Sequence, residues 1–248
     1  MSLFETEALI LRTYNLAEAD KIVVCLSRSA GVIRGVAKNC RKLKNRFGAS
    51  LEPFTLINLT YFEKENRELV SFSQTEILRS RFNLSSDAAV MAGFSYMGDL
   101  LMDFSAPRQA NDNLYRMALA CFEAVSQTPA DLEWVLRYFE VWLLKLEGFL
   151  PDLRACASCQ SAFDREEPIY LGTDLSLQCL KCSQARGRAI ANSVHQQLRT
   201  TEKLSPAKYA EEAREVPVAT RKELAQLTYQ IISRVLERMP RARPTFAQ

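Results

Sequence analysis

Two periodicities divide the chain. Across residues 5–78 the apolar positions alternate, or run together, in five short blocks: Glu7–Tyr14, Asp20–Ser27, Gly31–Lys38, Phe54–Glu63 and Glu68–Ile77. Each is rich in β-branched and aromatic residues, and turn-formers such as Asn15, Ala30-Gly31 and Lys64-Glu65-Asn66 separate them, so each is predicted to be a strand. In Asp20–Ser27 both faces are apolar, with Ile22, Val24 and Leu26 alternating with Val23 and Cys25. One face of such a strand fills a barrel while part of the other is covered by a neighbouring domain. Five strands in succession with no helix between them predict a small Greek-key barrel.

From Asn83 the period becomes 3.6. A first helix is expected over Ser86–Phe104, with Val90, Phe94, Met97, Leu101 and Phe104 on one stripe, and a second over Asp112–Ser126, with Leu114, Met117, Cys121 and Val125. The third is the best marked. Thr128 stands as N-cap with Pro129 in the first turn and Asp131 three residues on, close to a capping box. Leu132, Val135, Leu136, Phe139, Trp142, Leu143 and Leu146 hold the helical repeat, and Gly148 and Pro151 end it. Trp134, Tyr138, Val141 and Leu144 widen that stripe, which predicts a central, buried helix. Further helices are expected near Asn192–Leu204, after Ser205-Pro206, and over Arg221–Arg238, where Thr220 and Glu223 suggest a second capping box. Pro240 and Pro244 end order and leave the tail Arg241–Gln248 mobile.

Between the third and the later helices lie Cys156-Ala-Ser-Cys159 and, after nineteen intervening residues, Cys179-Leu-Lys-Cys182. A two-residue gap turns both thiolates of a pair toward one ion, and two pairs complete a tetrahedron, so the spacing points to Zn2+. The stretches 168–173 and 176–177 are expected to form the hairpin that joins the pairs. Four sulfur ligands leave no open position, which makes the site structural rather than catalytic. Lys181, Arg186 and Arg188 beside it either touch phosphate or stabilise the thiolates. The expected fold class is therefore α+β: a five-stranded oligonucleotide-binding (OB) barrel over 1–80, then a helical domain over 81–248 that contains a zinc segment at 150–186.

Charge changes the picture at one place. Between Arg34 and Arg46, thirteen residues hold six cations (Arg34, Lys38, Arg41, Lys42, Lys44 and Arg46) and no acid. Residues 1–51 carry a net +5 in a chain whose total is +3, so the remainder is net acidic. A run of this kind is either a solvated loop or a local site for a polyanion, of which nucleic acid is the commonest. Phe47 is placed to stack on a base, with Tyr61 and Phe72 more at home in the barrel core. Cys40 sits among the cations, which lowers a thiol pKa, while Cys25 and Cys121 are expected in the core.

The composition argues against other classes. The only histidine, His195, has no nucleophile signature beside it, and there is no phosphate-binding glycine loop or paired-histidine metal helix. Hence no enzyme is expected. No apolar run reaches the roughly 20 residues of a bilayer span, and Met1-Ser2-Leu3-Phe4-Glu5 lacks a cationic leader, which places the protein in the cytoplasm.

Gly35-Val36-Ala37-Lys38-Asn39-Cys40-Arg41-Lys42, Asn45-Arg46-Phe47-Gly48 and Leu51-Glu52-Pro53-Phe54, followed by Leu136-Arg137-Tyr138-Phe139-Glu140 and the two cysteine pairs, resemble the RecO family of bacterial recombination mediators. The resemblance spans nearly the whole chain; one departure is Asn39-Cys40, where the family tends to have Gly-Ala. It implies nucleoid-associated, sequence-independent binding of single- and double-stranded DNA and annealing of strands coated with single-strand-binding protein. It also implies partnership with RecR, and indirectly with RecF and RecA. The family's barrel cations fall on Arg34, Lys38, Arg41, Lys42, Lys44 and Arg46. Arg137 resembles a position that holds the acidic tail of single-strand-binding protein. An alternative from another class is a zinc-stapled interaction scaffold whose barrel is a docking surface.

Overall fold

Alternation along the first third of the chain closes a barrel. In the computed structural model, which describes residues 2–64, 67–164, 167–241 and 244, five strands form: β1 (Ser2–Leu16), β2 (Asp20–Ser27), β3 (Gly31–Ala37), β4 (Leu56–Glu63) and β5 (Val70–Arg79). Their order around the barrel is β1-β2-β3-β5-β4, the topology of an OB-fold. The first strand is long enough to serve both sides: residues 2–9 pair with β4 and residues 8–16 with β2, across a bulge at Ile10/Arg12. The seam is thinnest between β3 and β5, where only Gly35↔Val70 and Val36↔Ser71 pair, in parallel. Inside lie Ala8, Ile10, Val23, Cys25, Ile33, Ile57, Leu59, Tyr61 and Phe72. A Cβ on Gly35 would stand 2.1 Å from the Phe72 ring, so this close approach of ring to backbone needs glycine.

Two helices follow, α1 (Ala88–Phe104) and α2 (Asp112–Gln127). Asp87 caps α1 by accepting from the amides of Ala89 and Val90. The rings of Phe54, Phe94 and Phe122 meet at 4.6–5.7 Å. Buried Arg81 donates to the Phe54 carbonyl at 2.9 Å. Contacts divide the chain into Met1–Ser126 with Arg241–Gln248, and Gln127–Pro240. Helix α1 and nearly all of α2 thus belong to the barrel's unit.

The second unit is built on α3 (Leu132–Leu146), entered through a 3-10 turn at Pro129–Asp131. Eleven of its fifteen residues are buried, as a central helix requires. Then come β6 (Ile169–Leu171), β7 (Leu177–Cys179), α4 (Leu180–Ser183), β8 (Arg188–Ile190), α5 (Asn192–Thr201), α6 (Pro206–Ala213) and α7 (Val218–Val235). The expected hairpin is present as β6–β7, and β8 joins it as a third strand with no signal of its own in the sequence.

Both expected capping boxes are absent. Asp131 instead accepts two hydrogen bonds from Arg214, at 2.9 and 2.7 Å. Thr220 donates to Ser193 at 3.0 Å, and Glu223 accepts from the amide of Ala191 at 3.0 Å. Tertiary ion pairing and inter-helix hydrogen bonds outcompete local caps that would hold exposed ends only. Ser205 caps α6 as its Ser-Pro start predicts. Of the tail expected to be mobile, only Arg241 and Pro244 are among the described residues, and Glu65 and Asn66 of the β4–β5 turn also lie outside them. No helix among the described residues is long and apolar enough to cross a membrane.

Candidate nucleic-acid interface and metal centre

On β3, period-two alternation sends Ile33, Gly35 and Ala37 inward and Arg34 and Val36 outward, with Lys38 following on the outer face. The chain then leaves the barrel, but not as a free arm. The Asn39 amide donates to Asp20 at 2.7 Å, and Arg41 reaches the β1–β2 turn twice, through its amide to Ala19 and its guanidinium to Ala17. Asn39 has φ +57°, the left-handed conformation that Asn and Gly tolerate. The Asn45 side chain accepts from the amides of Phe47 and Gly48, and Phe47 and Leu51 plunge into the barrel core.

Phe47 must therefore be reassigned. It is 3% exposed, with the Arg46 guanidinium 5.0 Å above its ring, and a ring used as the loop's hydrophobic anchor is not offered to a base. Tyr61 and Phe72 are core, as expected. Cys40 is corrected too: burial pushes its thiol up, outweighing the pull of Lys21. Cys25 and Cys121 lie wholly inside the fold, as expected, and burial pushes their thiols up as well.

All six cations of the segment are exposed, and among the described residues none forms a salt bridge. Arg41 and Arg46 hydrogen-bond only backbone carbonyls, the latter that of Phe72 at 3.1 Å. Between them Lys42, Leu43 and Lys44 project into solvent. The fold also brings up cations that nothing in the sequence singles out. Arg34 shares one cleft with Arg67 and Arg108, and Lys38 shares a second with Lys64 and Arg67. In sequence Arg108 stands apart, while Lys64 and Arg67 fall in the β4–β5 turn, and the one hint is that this turn of an OB-fold commonly faces ligand.

In the second unit Cys156, Cys159, Cys179 and Cys182 hold their sulfur atoms within 4.8 Å of one another. Cys159 and Cys179 Sγ are 3.8 Å apart. Sulfurs about 2.3 Å from a central zinc stand about 3.8 Å apart along a tetrahedral edge, so the quartet has the dimensions of a metal site. The first pair turns on the Gln160 amide donating to Cys156, and the second straddles the start of α4. Burial pushes the Cys156 thiol up, but the amides of Cys159, Cys179 and Ser158 outweigh it and bring it down to about 6. Cys182, hydrogen-bonded to the side chains of Cys159 and Cys179, is pushed up to about 12. Thiols this close resist ionising together, and a dication is what allows all four to do so. Helix α7 braces the segment: Arg234 donates to the carbonyls of Gly172 and Thr173, and Arg188 to Gln230 at 2.8 Å. Arg188 is thereby tied to the helix, while Lys181 and Arg186 stay exposed.

Arg137, expected on the surface to hold an acidic tail, is 2% exposed. Its Nη2 is 2.8 Å from Glu140 Oε1, and Thr228 donates to the other oxygen of the same carboxylate. A guanidinium enclosed by the central helix and neutralised one turn away is not presented to a partner peptide.

The Recombination protein O N-terminal family model matches residues 1–81, and the Recombination protein O C-terminal model matches residues 85–244. The chain belongs to the recombination protein O family. Among curated members, the DNA repair protein RecO of Koribacter versatilis is 34% identical over 161 residues, 64% of this chain and 65% of that protein. That of Symbiobacterium thermophilum is 34% identical over 161 residues, 65% and 63% of the two chains. That of Syntrophotalea carbinolica is 30% identical over 178 residues, 71% and 69%. The matched part of the chain thus spans just under two thirds of the first two relatives. The recombination protein O boundary at 81–85 falls where the barrel ends, ahead of the packing boundary at Ser126.

Proposed function

We propose that this protein is a DNA repair and recombination mediator. In this reading it binds single- and double-stranded DNA without regard to sequence and anneals complementary strands coated with single-strand-binding protein. It acts with RecR, and with RecF, in loading RecA. The observation that carries the reading is the set of six exposed cations on an OB barrel, none neutralised by an acid among the described residues, in a chain of the recombination protein O family. Lys and Arg so placed neutralise phosphates and release condensed counterions without reading bases. Annealing needs two strands relieved of their mutual repulsion and a loose, sequence-blind grip; no catalytic group enters, so the reading is non-enzymatic.

The cysteine quartet is read as one structural zinc site, held by Cys156, Cys159, Cys179 and Cys182. When bound there, the ion supplies folding energy to a segment with little core of its own.

The test is annealing of complementary oligonucleotides coated with single-strand-binding protein, comparing wild type with Arg41→Glu/Lys42→Glu/Lys44→Glu. The expected result is a rate enhancement by wild type that the triple variant loses. Unchanged annealing by the variant would instead favour a scaffold whose barrel docks another protein.

A further inference from the structure

Alternation on four neighbouring strands assembles a surface that no single segment announces. Tyr61 points into the barrel and is 3% exposed, so Phe62 points out. Register then lays Phe62 beside Ser71 on β5 and beside Leu3 on β1, while Ser71 pairs with Val36 on β3. The outcome is one row across the outer face, Val36–Ser71–Phe62–Leu3, with Leu3 60% exposed and Leu69 36% exposed at its margin. Val36, Phe62, Leu69 and Ser71 line a cleft of about 490 Å3 together with Lys38, Lys64 and Arg67. A second cleft of about 850 Å3 adjoins it through Arg67 and Glu68, and its walls include Arg34, Met102 and Arg108.

The second cleft is built by close packing. Gly31 has φ +63°, and a Cβ there would stand 2.1 Å from the Gln109 carbonyl oxygen, so only glycine lets the 106–109 segment lie against β3. Arg108 positions the opposite wall: it pairs with Glu63 at 2.8 Å and donates to the carbonyls of Arg67 and Glu68. With Arg108 and Glu63 matched to each other, the two clefts retain Arg34, Lys38, Lys64 and Arg67 against the single acid Glu68.

We infer that this face is the seat of an unpaired nucleic-acid strand, with a base stacked on Phe62 and the phosphates running along Arg34, Lys38, Lys64 and Arg67. The inference rests on the nucleic-acid reading above and goes further by naming the strand's form and its track. A flat apolar ring between cations fits a chain that alternates aromatic bases with phosphates. It does not fit a duplex, whose base faces are already stacked. Phe62, rather than Phe47, is then the stacking platform.

The test uses the full chain and three probes: oligodeoxythymidylate of about 12 nucleotides, within the span of an OB-fold, a duplex of equal length, and inorganic polyphosphate as a base-free polyanion. Phe62→Ala is expected to weaken oligothymidylate binding about 5- to 150-fold, the effect of losing one stacked base. Duplex and polyphosphate binding should hardly change. Lys38→Glu/Arg67→Glu should weaken all three. Phe62→Trp retains an aromatic platform and guards against a folding defect; its added fluorescence should be quenched by oligothymidylate and not by polyphosphate. If Phe62→Ala binds oligothymidylate like wild type, or Phe62→Trp is not quenched, the platform is overturned while the broader DNA-binding reading stands. If wild type binds neither oligonucleotide, that reading fails and this inference with it.

Discussion

The cations between Arg34 and Arg46 contrast with those that brace the second unit and the rest of the barrel. In the second unit Arg137 faces Glu140, Lys145 faces Glu202, Arg214 faces Asp131 and Arg221 faces Glu133. Around the barrel, Arg12, Arg28, Arg79 and Arg108 are likewise matched to acids. The segment from Arg34 to Arg46 differs: its six exposed cations lie close together, and among the described residues none has an acid partner. Six such cations with no acid between them hold positive potential ready for something outside the protein. The contrast separates a charge that builds the fold from one that meets a ligand, which sequence spacing alone does not do.

The largest expected effect tests the proposed zinc site. Cys182→Ser, or a strong chelator, should release zinc and unfold the 150–190 segment, because apparent zinc-binding energies of about 10 kcal/mol or more are folding energies in such modules. Zinc content by atomic absorption and protease sensitivity of that segment would show it. Oligonucleotide affinity carried by the barrel should persist; its loss would mean that the two units do not divide their tasks as the charges suggest.

Next comes Arg41→Glu/Lys42→Glu/Lys44→Glu. Single-strand affinity should fall about 100-fold or more at moderate salt. The wild-type plot of log affinity against log salt should have a slope of about −4 if all six cations meet phosphate, from about 0.7 per contact. A shallow wild-type slope would show that the loop is merely solvated.

Arg137→Met is the control from the opposite class. It leaves Glu140 buried without its partner, which costs about 3–5 kcal/mol, read as a lower denaturation midpoint with unchanged affinity for oligonucleotides. A stable Arg137→Met protein that loses a partner instead would reverse the assignment of Arg137 to the fold. Phe47→Ala belongs beside it, costing about 3–5 kcal/mol through the cavity it leaves, with the loop's cations released from their anchor.

The smallest effect is a pH dependence. Burial lowers the pKa of His195, whose Nε2 donates to the Leu153 carbonyl at 2.7 Å. The unfolded chain therefore takes up a proton near pH 6.5 that the folded chain refuses. This contribution is complete above the unfolded value and shrinks as pH falls below it. His195→Gln should flatten the pH dependence of the melting temperature between about pH 7.5 and about 5.5 relative to wild type; parallel curves would show that other groups govern it.

Much of this molecule is legible in its sequence, for reasons that differ by element. The five strands, the buried α3 and the four-cysteine geometry follow from strong local signals: alternation, an apolar repeat held over four turns, and paired two-residue gaps. The departures share a cause. Thr128 with Asp131, and Thr220 with Glu223, satisfy a local capping pattern, yet Asp131 and Glu223 find partners 83 and 32 residues away. Phe47 sits in a polar stretch and reads as part of the loop, while the barrel has a place for it. Arg137 reads as a surface charge, although it lies on the central buried helix, because its partner Glu140 matters only once both are enclosed.

The sequence by itself determined which residues alternate, which repeat every 3.6 positions, which thiols are spaced for a metal, and where positive charge accumulates without acid. Those are properties of neighbours along the chain. Tertiary structure alone decided that Phe47 is an anchor and Arg137 a buried pair, and that Phe62 lies on a cationic face with Arg67, drawn from different strands and a turn. Burial, ion pairing and cleft lining are set by residues brought together across the barrel or between helices, and strand register and helix packing exist only after the chain has folded.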